Sequence, residues 1–264
     1  MISCALHVHS TYSDGEFTLA ELRDTYVRAG RRAVLLADHA EYFDAARVAE
    51  YVADCARHSD AALQMVPGLE FGCEDRMHIV GYGVTALTDQ RDPQAVIAHI
   101  QMNGGVSVIA HPRDDHFPLI ESFQLLPLGI EAWNTKYDGR YAPRAHTFQL
   151  IDRLRGRQPE LLAFYGTDLH WRTQFRDLEI IVRAPTNAGP EILAALKRGD
   201  FRARKGSLEL QPRTTPSAAQ LKRFRVLNNA SRLMWRTLKA IKTASGSVGN
   251  RLPAPIKAQL RRIF

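Results

Sequence analysis

The sequence predicts an α/β protein, on the basis of its alternating segments, their number and its composition. Short apolar, β-rich runs recur along the chain with helix-like segments between them, as in strands joined by crossover helices. About eight runs favour a barrel or barrel-like sheet over an open doubly wound one, although periodicity alone leaves both open. With 45% hydrophobic and 24% charged residues, the chain is globular, neither disordered nor collagen-like.

The elements are predicted in chain order from apolar runs, helical spacing and capping residues. Strands are expected at 3–8, 33–37, 64–71, 78–82, 106–110, 129–132, 161–165 and 178–182. Helices are expected at 18–29, 43–58, 93–102, 142–155 and 190–198. Thr18 and Glu21 have the spacing of a capping box at the start of the first helix. Pro93 and Pro190 stand where a first-turn proline is tolerated.

The pattern changes after Arg204, which divides the chain into three predicted parts. Residues 1–204 form the main domain, and 205–219, rich in Gly, Pro, Ser and Thr, form a linker. Residues 220–264 form a basic, partly helical tail. Its apolar residues recur at three- and four-residue steps, at Leu221, Phe224, Leu227, Ala230, Met234, Leu238 and Ile241. A break is expected at 245–250 and a short basic helix at 254–264.

The charge of the chain is concentrated in this tail. The net charge is +7, yet the residues from Gln211 onward contain twelve Lys or Arg and no Asp or Glu. The other 210 residues contain 23 basic and 28 acidic side chains. A basic amphipathic helix of this kind could bind an anionic membrane surface or a nucleic-acid backbone, or could pack on the main domain or on a partner subunit.

The cysteines and the apolar segments predict a cytoplasmic protein, with the tail offering peripheral contact to a membrane. Cys4, Cys55 and Cys73 are odd in number and widely spaced, which argues against disulfides or a thiolate zinc site. Residues 1–6 lead directly into strand-like sequence, so no secretory signal is expected. No run of 18 apolar residues indicates a membrane span.

The first strand contains the most informative motif, His7-Val-His9, followed by Asp14 in the next turn. Alternate residues of a strand point to the same face, so the two imidazoles could bind one metal ion. Asp14 lies within reach of a neighbouring ion. Two histidines in a strand are more often incidental than ligands, so this motif alone is weak.

Further His, Asp and Glu residues stand at the ends of later strands. They are Asp38, His39, Glu70, His78, His111, Asp168 and His170. Each could be a capping or loop residue, but that reading does not predict that all of them would fall at strand ends. Parallel α/β folds build their sites at the carboxyl ends of strands. Together these residues predict a metal site.

These motifs resemble the PHP family of phosphoesterases, named for polymerases and histidinol phosphatases. The matching elements are His7-x-His9 with Asp14 and Gly15, the pair Asp38-His39, Gly68-Leu-Glu70, His78 with the Ile-Val-Gly-Tyr that follows it, His111-Pro112 and Asp168-x-His170. The resemblance covers residues 1–204 and implies a distorted (β/α)7 TIM-like barrel. Ala37 departs from the family, where many members have threonine before the Asp-His pair, but it is not a ligand position.

The resemblance also implies two or three divalent ions, manganese, iron or zinc. The first would take His7, His9, Glu70 and Asp168. The second would take His78 and His111, with Glu70 bridging, and the third would take Asp14, His39 and His170. Mixed imidazole and carboxylate ligands suit such ions, and two of them would activate a water for attack on phosphorus. Glu70 and Asp168 are therefore catalytic candidates.

Cations near this site are candidates for binding the substrate phosphate. Arg113 follows His111-Pro112, Arg172 lies two residues beyond His170, and Lys136 follows the strand at 129–132. Arg113 is also a catalytic candidate. Arg140 and Arg144 could point to the same region. For each residue the alternative is an ordinary solvated surface cation.

The predicted function is a metal-dependent phosphoester hydrolase that acts on a phosphorylated small molecule or nucleotide. One alternative is a phosphodiesterase or nuclease acting on nucleotides or nucleic acid. A family subgroup of nucleotide specificity has a large insertion between the positions of His78 and His111, where this chain has only 32 residues. Another alternative is a non-catalytic scaffold with a docking tail, although all nine ligand positions contain competent residues.

Overall fold

The structure, a computed structural model, describes the backbone of residues 1–139 and 141–244, and their side chains except those of 232, 235, 236 and 238–244. Arg140 and the predictions for 245–250 and 254–264 lie outside the described residues. The strands are β1 (Ile2–Val8), β2 (Ala33–Leu36), β3 (Asp38–His39), β4 (Gln64–Val66), β5 (Gly68–Gly72), β6 (His78–Tyr82), β7 (Val106–Ala110), β8 (Gly129–Asn134), β9 (Leu162–Gly166), β10 (Glu179–Val182), β11 (Phe201–Lys205) and β12 (Leu208–Leu210). The helices are α1 (Leu19–Arg28), α2 (Ala45–Arg57), α3 (Pro93–Met102), α4 (Phe117–Ser122), α5 (Ala145–Arg155), α6 (Gly189–Arg198) and α7 (Ala218–Ala244).

The strands form two six-stranded sheets, of order β12-β11-β10-β1-β2-β4 and β3-β5-β6-β7-β8-β9. One residue separates β2 from β3, and Pro67, which lacks a backbone donor, separates β4 from β5. After β9, the other edge strand of the second sheet, Thr167 N donates to Leu6 O of β1 at 3.0 Å, and His9 N donates to Leu169 O at 3.0 Å. The second sheet is thus joined to the first at both of its ends. The α/β class is confirmed, and the seven-stranded barrel stays a prediction.

The strand directions correct the expectation of a parallel fold, because both sheets are mixed. β6 runs antiparallel to β5 and β7, since the connection at 73–77 is too short for a crossover. β10, β11 and β12 are likewise antiparallel to their neighbours. As a result His78, which begins β6, pairs with Gly72 at the end of β5 and with Ala110 at the end of β7. His78 therefore lies at the edge where its neighbours end.

The helices agree with the predicted segments except at some boundaries. The capping box of α1 is present: Glu21 N donates to Thr18 Oγ1 at 3.2 Å, and Thr18 N donates to Glu21 Oε2 at 3.0 Å. α5 begins at Ala145 rather than at 142, after Pro143. The short helix α4 was not predicted, since six residues are too few to show a helical period.

The region after Arg204 differs from the predicted linker, whereas the helix predicted for the tail is present as α7. β12 lies within 205–219 and pairs with β11, so the sheet extends to Leu210. α7 then packs on α5 through Leu221 and Phe224, both buried, with the Phe224 and Phe148 rings 6.5 Å apart. Among the described residues, no helix combines the length and the apolar character needed to cross a bilayer.

The strands β1, β2, β7, β8 and β9 are buried along nearly their whole length, as expected of strands covered on both faces. Their apolar side chains form the core. Several buried residues at one end of the strands are instead polar, among them His7, His9, Glu70, Glu131 and Asp168. Since such residues are rarely buried without partners, that end is the candidate site.

Candidate metal centre

All nine residues predicted as ligands lie together at this end of the strands. Their nitrogen and oxygen atoms form four groups in which every atom lies within 4.8 Å of the others. The groups are His7, His9 and Asp168; His7, Glu70 and His111; His39, Glu70 and His78; and His9, Asp14, His39 and His170. Because they share members, they form one continuous cluster.

His7 and His9 converge for a different reason from the predicted strand alternation. The pairing of β1 with β2 shifts register between Leu6 and Val8, and His7 has a φ of 60°. His7 is therefore the extra residue of a β-bulge, a device that redirects a side chain. The two imidazole rings lie 5.3 Å apart.

Two further predicted ligands have left-handed backbones, His111 with φ 29° and Asp168 with φ 49°. Positive φ is unfavourable for residues with a Cβ and is retained only where surrounding contacts impose it. In the described residues, five non-glycine positions have positive φ, and three of them are His7, His111 and Asp168. Backbone strain is thus concentrated in the cluster.

Glu70 lies at the centre of the cluster and is 1% exposed. Its Oε1 is 3.1 Å from His78 Nδ1 and 3.1 Å from His111 Nε2. Its Oε2 is 3.5 Å from His7 Nε2 and 3.4 Å from His9 Nε2. His39 Nδ1 also lies 3.5 Å from Oε2. The two oxygens therefore face different sets of imidazoles, an arrangement that suits a bridging carboxylate.

The third predicted set of metal ligands lies at the more exposed side of the cluster. Asp14 Oδ1 is 3.2 Å from His170 Nε2 and 3.7 Å from His39 Nε2. His9 Nδ1 is 3.8 Å from the same oxygen, so His9 contacts this set as well as the first. Asp14 is 39% exposed, and Ser13 beside it donates to the buried Asp38 at 2.6 Å. That bond fixes the turn that contains Asp14.

Several buried ring nitrogens of the cluster have no hydrogen-bond partner among the described residues, which is what a site for divalent metal ions requires. His7 Nε2, both ring nitrogens of His9 and His39 Nδ1 are buried and have no hydrogen-bond partner in the described structure. Buried polar atoms without partners are rare unless an ion or water binds them. Imidazole and carboxylate donors together suit zinc, iron or manganese.

The electrostatics of the cluster also fit a bound cation. Burial raises the pKa of Glu70, but His7 and the hydrogen bond from His111 outweigh it and hold that pKa well below its usual range. Burial likewise raises the pKa of Asp168, and His7 and His170 more than reverse that shift. Both carboxylates are therefore ionised and surrounded by imidazoles. Burial lowers the pKa of His9 well below its usual value, which leaves neutral nitrogens able to bind a metal.

Glu131 is a site residue that the sequence reasoning missed. It is 2% exposed, and its Oε1 lies 3.0 Å from His7 Nδ1. Its Oε2 accepts hydrogen bonds from His111 N and from Asn134 Nδ2, both at 2.9 Å. A carboxylate on the far nitrogen of a ligating imidazole orients the ring and selects its tautomer. The sequence feature that could have identified Glu131 is its position as the single glutamate in the apolar strand 129–132.

The three predicted substrate cations have different positions. Lys136 Nζ lies 3.1 Å from Asp168 Oδ1 and 3.2 Å from His170 Nδ1, so it reaches the cluster. Arg113 is half exposed and pairs with Asp115, and Arg172 is half exposed and donates to Glu21. Among the described residues, neither guanidinium contacts a predicted ligand.

Arg144 also points away from the cluster, donating to Pro112 O at 2.9 Å and to Asp114 Oδ1 at 2.6 Å. It holds the loop that follows His111.

Exposed aromatic rings border the cluster. The Tyr137 ring lies 4.7 Å from the ring of His111, and the Trp171 ring lies 5.8 Å from that of His170. Tyr137 is 60% exposed and Trp171 is 47% exposed. Lys136 Nζ lies between them, 5.0 Å and 5.7 Å from their ring centres. The opening thus combines a cation with two exposed flat surfaces.

Comparison with known proteins gives a family-level match. The model of the PHP domain matches residues 5–144, which include seven of the nine predicted ligands, all except Asp168 and His170. No curated protein matches the chain by sequence.

Two solved structures have similar folds. One is a two-domain protein from Bacteroides vulgatus described as containing a predicted PHP-like metal-dependent phosphoesterase; the match covers 84% of this chain and 68% of that one, with TM-score 0.58 and 16% identity. The other is PsfC from Pseudomonas syringae, where the match covers 89% of this chain and 98% of that one, with TM-score 0.52 and 17% identity. At these identities the likeness concerns the fold.

Proposed function

Because the chain belongs to the PHP domain family, we propose that it is a metal-dependent phosphoester hydrolase acting on a phosphorylated small molecule or nucleotide. The observation that supports this most directly is Glu70, whose two oxygens face separate sets of imidazoles. A single buried carboxylate in that position can bridge two ions, and paired ions are a recurrent device of phosphoester hydrolysis.

The proposed ligands follow the geometry of the cluster. His7, His9 and Asp168 would hold one ion and His78 and His111 a second, with Glu70 between them. Asp14, His39 and His170 would hold a third. The close approach of His9 Nδ1 to Asp14 supports a shared role for that imidazole. The junctions between the two sheets support the distorted (β/α)7 barrel as the scaffold.

The chemistry would combine the ions with residues of the chain. Bound ions would supply a water of lowered pKa and neutralise charge on the phosphoryl oxygens. Lys136, held beside Asp168, would bind a phosphoryl oxygen through its ammonium group. Glu131 would keep His7 in the tautomer that presents Nε2. Burial raises the pKa of the thiols of Cys4, Cys55 and Cys73, so none of them is a ready nucleophile.

A second candidate, hydrolysis of nucleotides or nucleic acid, is favoured by the exposed rings. Tyr137 and Trp171 lie beside His111 and His170, with the ammonium of Lys136 between them. Stacking of bases on aromatic rings beside a cation is a common mode of nucleotide binding. A non-catalytic scaffold is the less favoured alternative, because none of the nine positions is lost.

Elemental analysis of the purified protein, with hydrolysis assays on p-nitrophenyl phosphate and bis-p-nitrophenyl phosphate, tests the proposal. We expect two or three metal equivalents, and loss of both metal and activity in His9→Ala. The exposed His146→Ala variant is the matched control and should keep both. Preference between the two esters separates monoesterase from diesterase. Protein that contains metal but hydrolyses neither ester nor any nucleotide would support the scaffold instead.

A further inference from the structure

Helix α7 runs along helix α5 on the surface of the domain. Thr215, just before α7, bonds to Asp152 near the end of α5, at 2.9 Å. Phe224 lies against Phe148, and Asn228 Nδ2 donates to Pro143 O, just before α5, at 2.9 Å. As α7 proceeds, its contacts move from the end of α5 to its beginning. The two helices are therefore antiparallel.

The beginning of α5 lies on the side of the metal cluster. Arg144, next to Pro143, donates to Pro112 O, and Pro112 follows the predicted ligand His111. α7 reaches this level at Asn228 and continues to Ala244, roughly 20 Å further at 1.5 Å per residue. Residues 229–244, here called the distal half of α7, therefore extend from the side of the molecule where the cluster lies.

The apolar residues of α7 differ in exposure. Leu221 is 7% exposed, and Phe224, which lies against Phe148 of α5, is 3% exposed, whereas Val226 is 59% exposed. In the distal half, Leu233 is 67% exposed and Met234 is 37% exposed. The distal half therefore presents apolar surface to solvent.

The sequence of the distal half combines apolar and basic residues. Its apolar members are Leu233, Met234, Trp235, Leu238 and Ile241. Its basic members are Arg232, Arg236, Lys239 and Lys242, and it has no acidic residue. This composition is that of helices which lie in a membrane interface, with apolar side chains in the acyl region and cations at the headgroups.

The charge pattern selects among the possible partners. A second copy of the helix would bring cations against cations, since no Asp or Glu follows Gln211. A nucleic acid would satisfy the cations but would leave Leu233 and Met234 in water. We propose that the distal half of α7 binds an anionic lipid surface and thereby turns the side of the domain that contains the metal cluster toward that surface.

Co-sedimentation with vesicles tests this proposal on the full-length protein. Vesicles of phosphatidylcholine alone are compared with vesicles of equal parts phosphatidylcholine and phosphatidylglycerol. We expect binding to the mixed vesicles that is at least about tenfold stronger and that weakens with salt. The double variant Leu233→Ser/Met234→Ser tests the apolar contribution, and Arg232→Glu/Arg236→Glu tests the charge. Each should reduce binding about tenfold.

The control is Arg28→Glu/Lys197→Glu, which changes the net charge equally on exposed residues of α1 and α6. It should bind as the unaltered protein does. Equal loss in this control and in Arg232→Glu/Arg236→Glu would overturn the proposal, since net charge alone would explain it. So would absence of vesicle binding, or salt-sensitive binding of single-stranded DNA that does not depend on Leu233 and Met234. None of these readouts requires the chain to be a hydrolase.

Discussion

The metal cluster has two halves that differ in burial and in support. The inner half, His7, His9, Glu70 and Asp168, is at most 1% exposed. In the outer half, Asp14 is 39% exposed, His78 is 29% exposed and His39 and His111 are each 13% exposed, while His170 is buried. Glu131 and Asn134 hydrogen-bond to His7 and Asp168 of the inner half, whereas Asp14 depends on a turn fixed through Ser13. The difference indicates that folding arranges the inner half, while ions complete the outer half.

Replacement of Glu70 is expected to have the largest effect, because it joins the two halves. Glu70→Ala removes the carboxylate that faces five imidazoles. We expect hydrolysis to fall by about a thousandfold or more, equivalent to the several kcal/mol that metal ions contribute. Metal analysis should show loss from both halves. Glu74→Ala, an exposed glutamate nearby, should leave both measurements unchanged.

Glu131→Gln tests whether the inner half depends on its supporting carboxylate. His111 N and Asn134 Nδ2 donate to Oε2, and His7 Nδ1 faces Oε1. An amide would present an N–H to one of these donors. We expect metal affinity to fall about 10–100-fold, measured by competition with a chromogenic chelator. Glu160→Gln, exposed on the surface, is the control, and equal affinities would show that Glu131 has no positioning role.

Lys136→Ala tests whether the ammonium group of Lys136 binds the substrate phosphate beside the two halves of the cluster. Loss of a charge-assisted contact to phosphate should raise KM about tenfold with a smaller change in kcat. Lys136→Arg should recover part of the loss. Arg113→Ala and Arg172→Ala remove cations that are paired on the surface and should change KM less than about twofold. A larger effect of Arg113→Ala would instead support the role predicted for it from sequence.

Asp14→Ala is expected to have the smallest effect, since it alters only the outer half. One metal equivalent should be lost while the thermal midpoint changes little. Activity should fall about fivefold to tenfold, as for a partly exposed charge. A timed chelation experiment on the unaltered protein should release that ion first. Simultaneous release of all ions would contradict the division into two halves.

Much of this arrangement was predictable because ligand residues follow strands directly in sequence. His7 and His9 were identified from their alternate spacing in the first strand, and Glu70 and Asp168 from their positions at strand ends; the structure brings the four together. The family resemblance supplied the grouping of the ligands, which position alone does not give. The three left-handed residues were not predictable, since positive φ at His or Asp has no local sequence mark comparable to glycine.

What the sequence did not predict depends on contacts between distant segments. Glu131 meets His7 across 124 residues, and one glutamate in an apolar strand does not reveal its partner. The reversed direction of β6 follows from the short loop at 73–77, a signal that was present but not used. Arg113 and Arg172 were predicted to bind substrate because they lie near His111 and His170 in sequence. Sequence proximity does not show that their guanidinium groups pair with Asp115 and Glu21 instead.

The position of β1 between β2 and β10 has a consequence for how the chain folds. β1 pairs with residues near 180, and Leu6 O accepts a hydrogen bond from Thr167, 161 positions along the chain. Contacts of such large sequence separation slow folding, because a long loop must close before they form. During synthesis, the side of β1 that faces β10 therefore stays unpaired until β10 leaves the ribosome. Refolding should be slow, and fragments that end before β10 should aggregate.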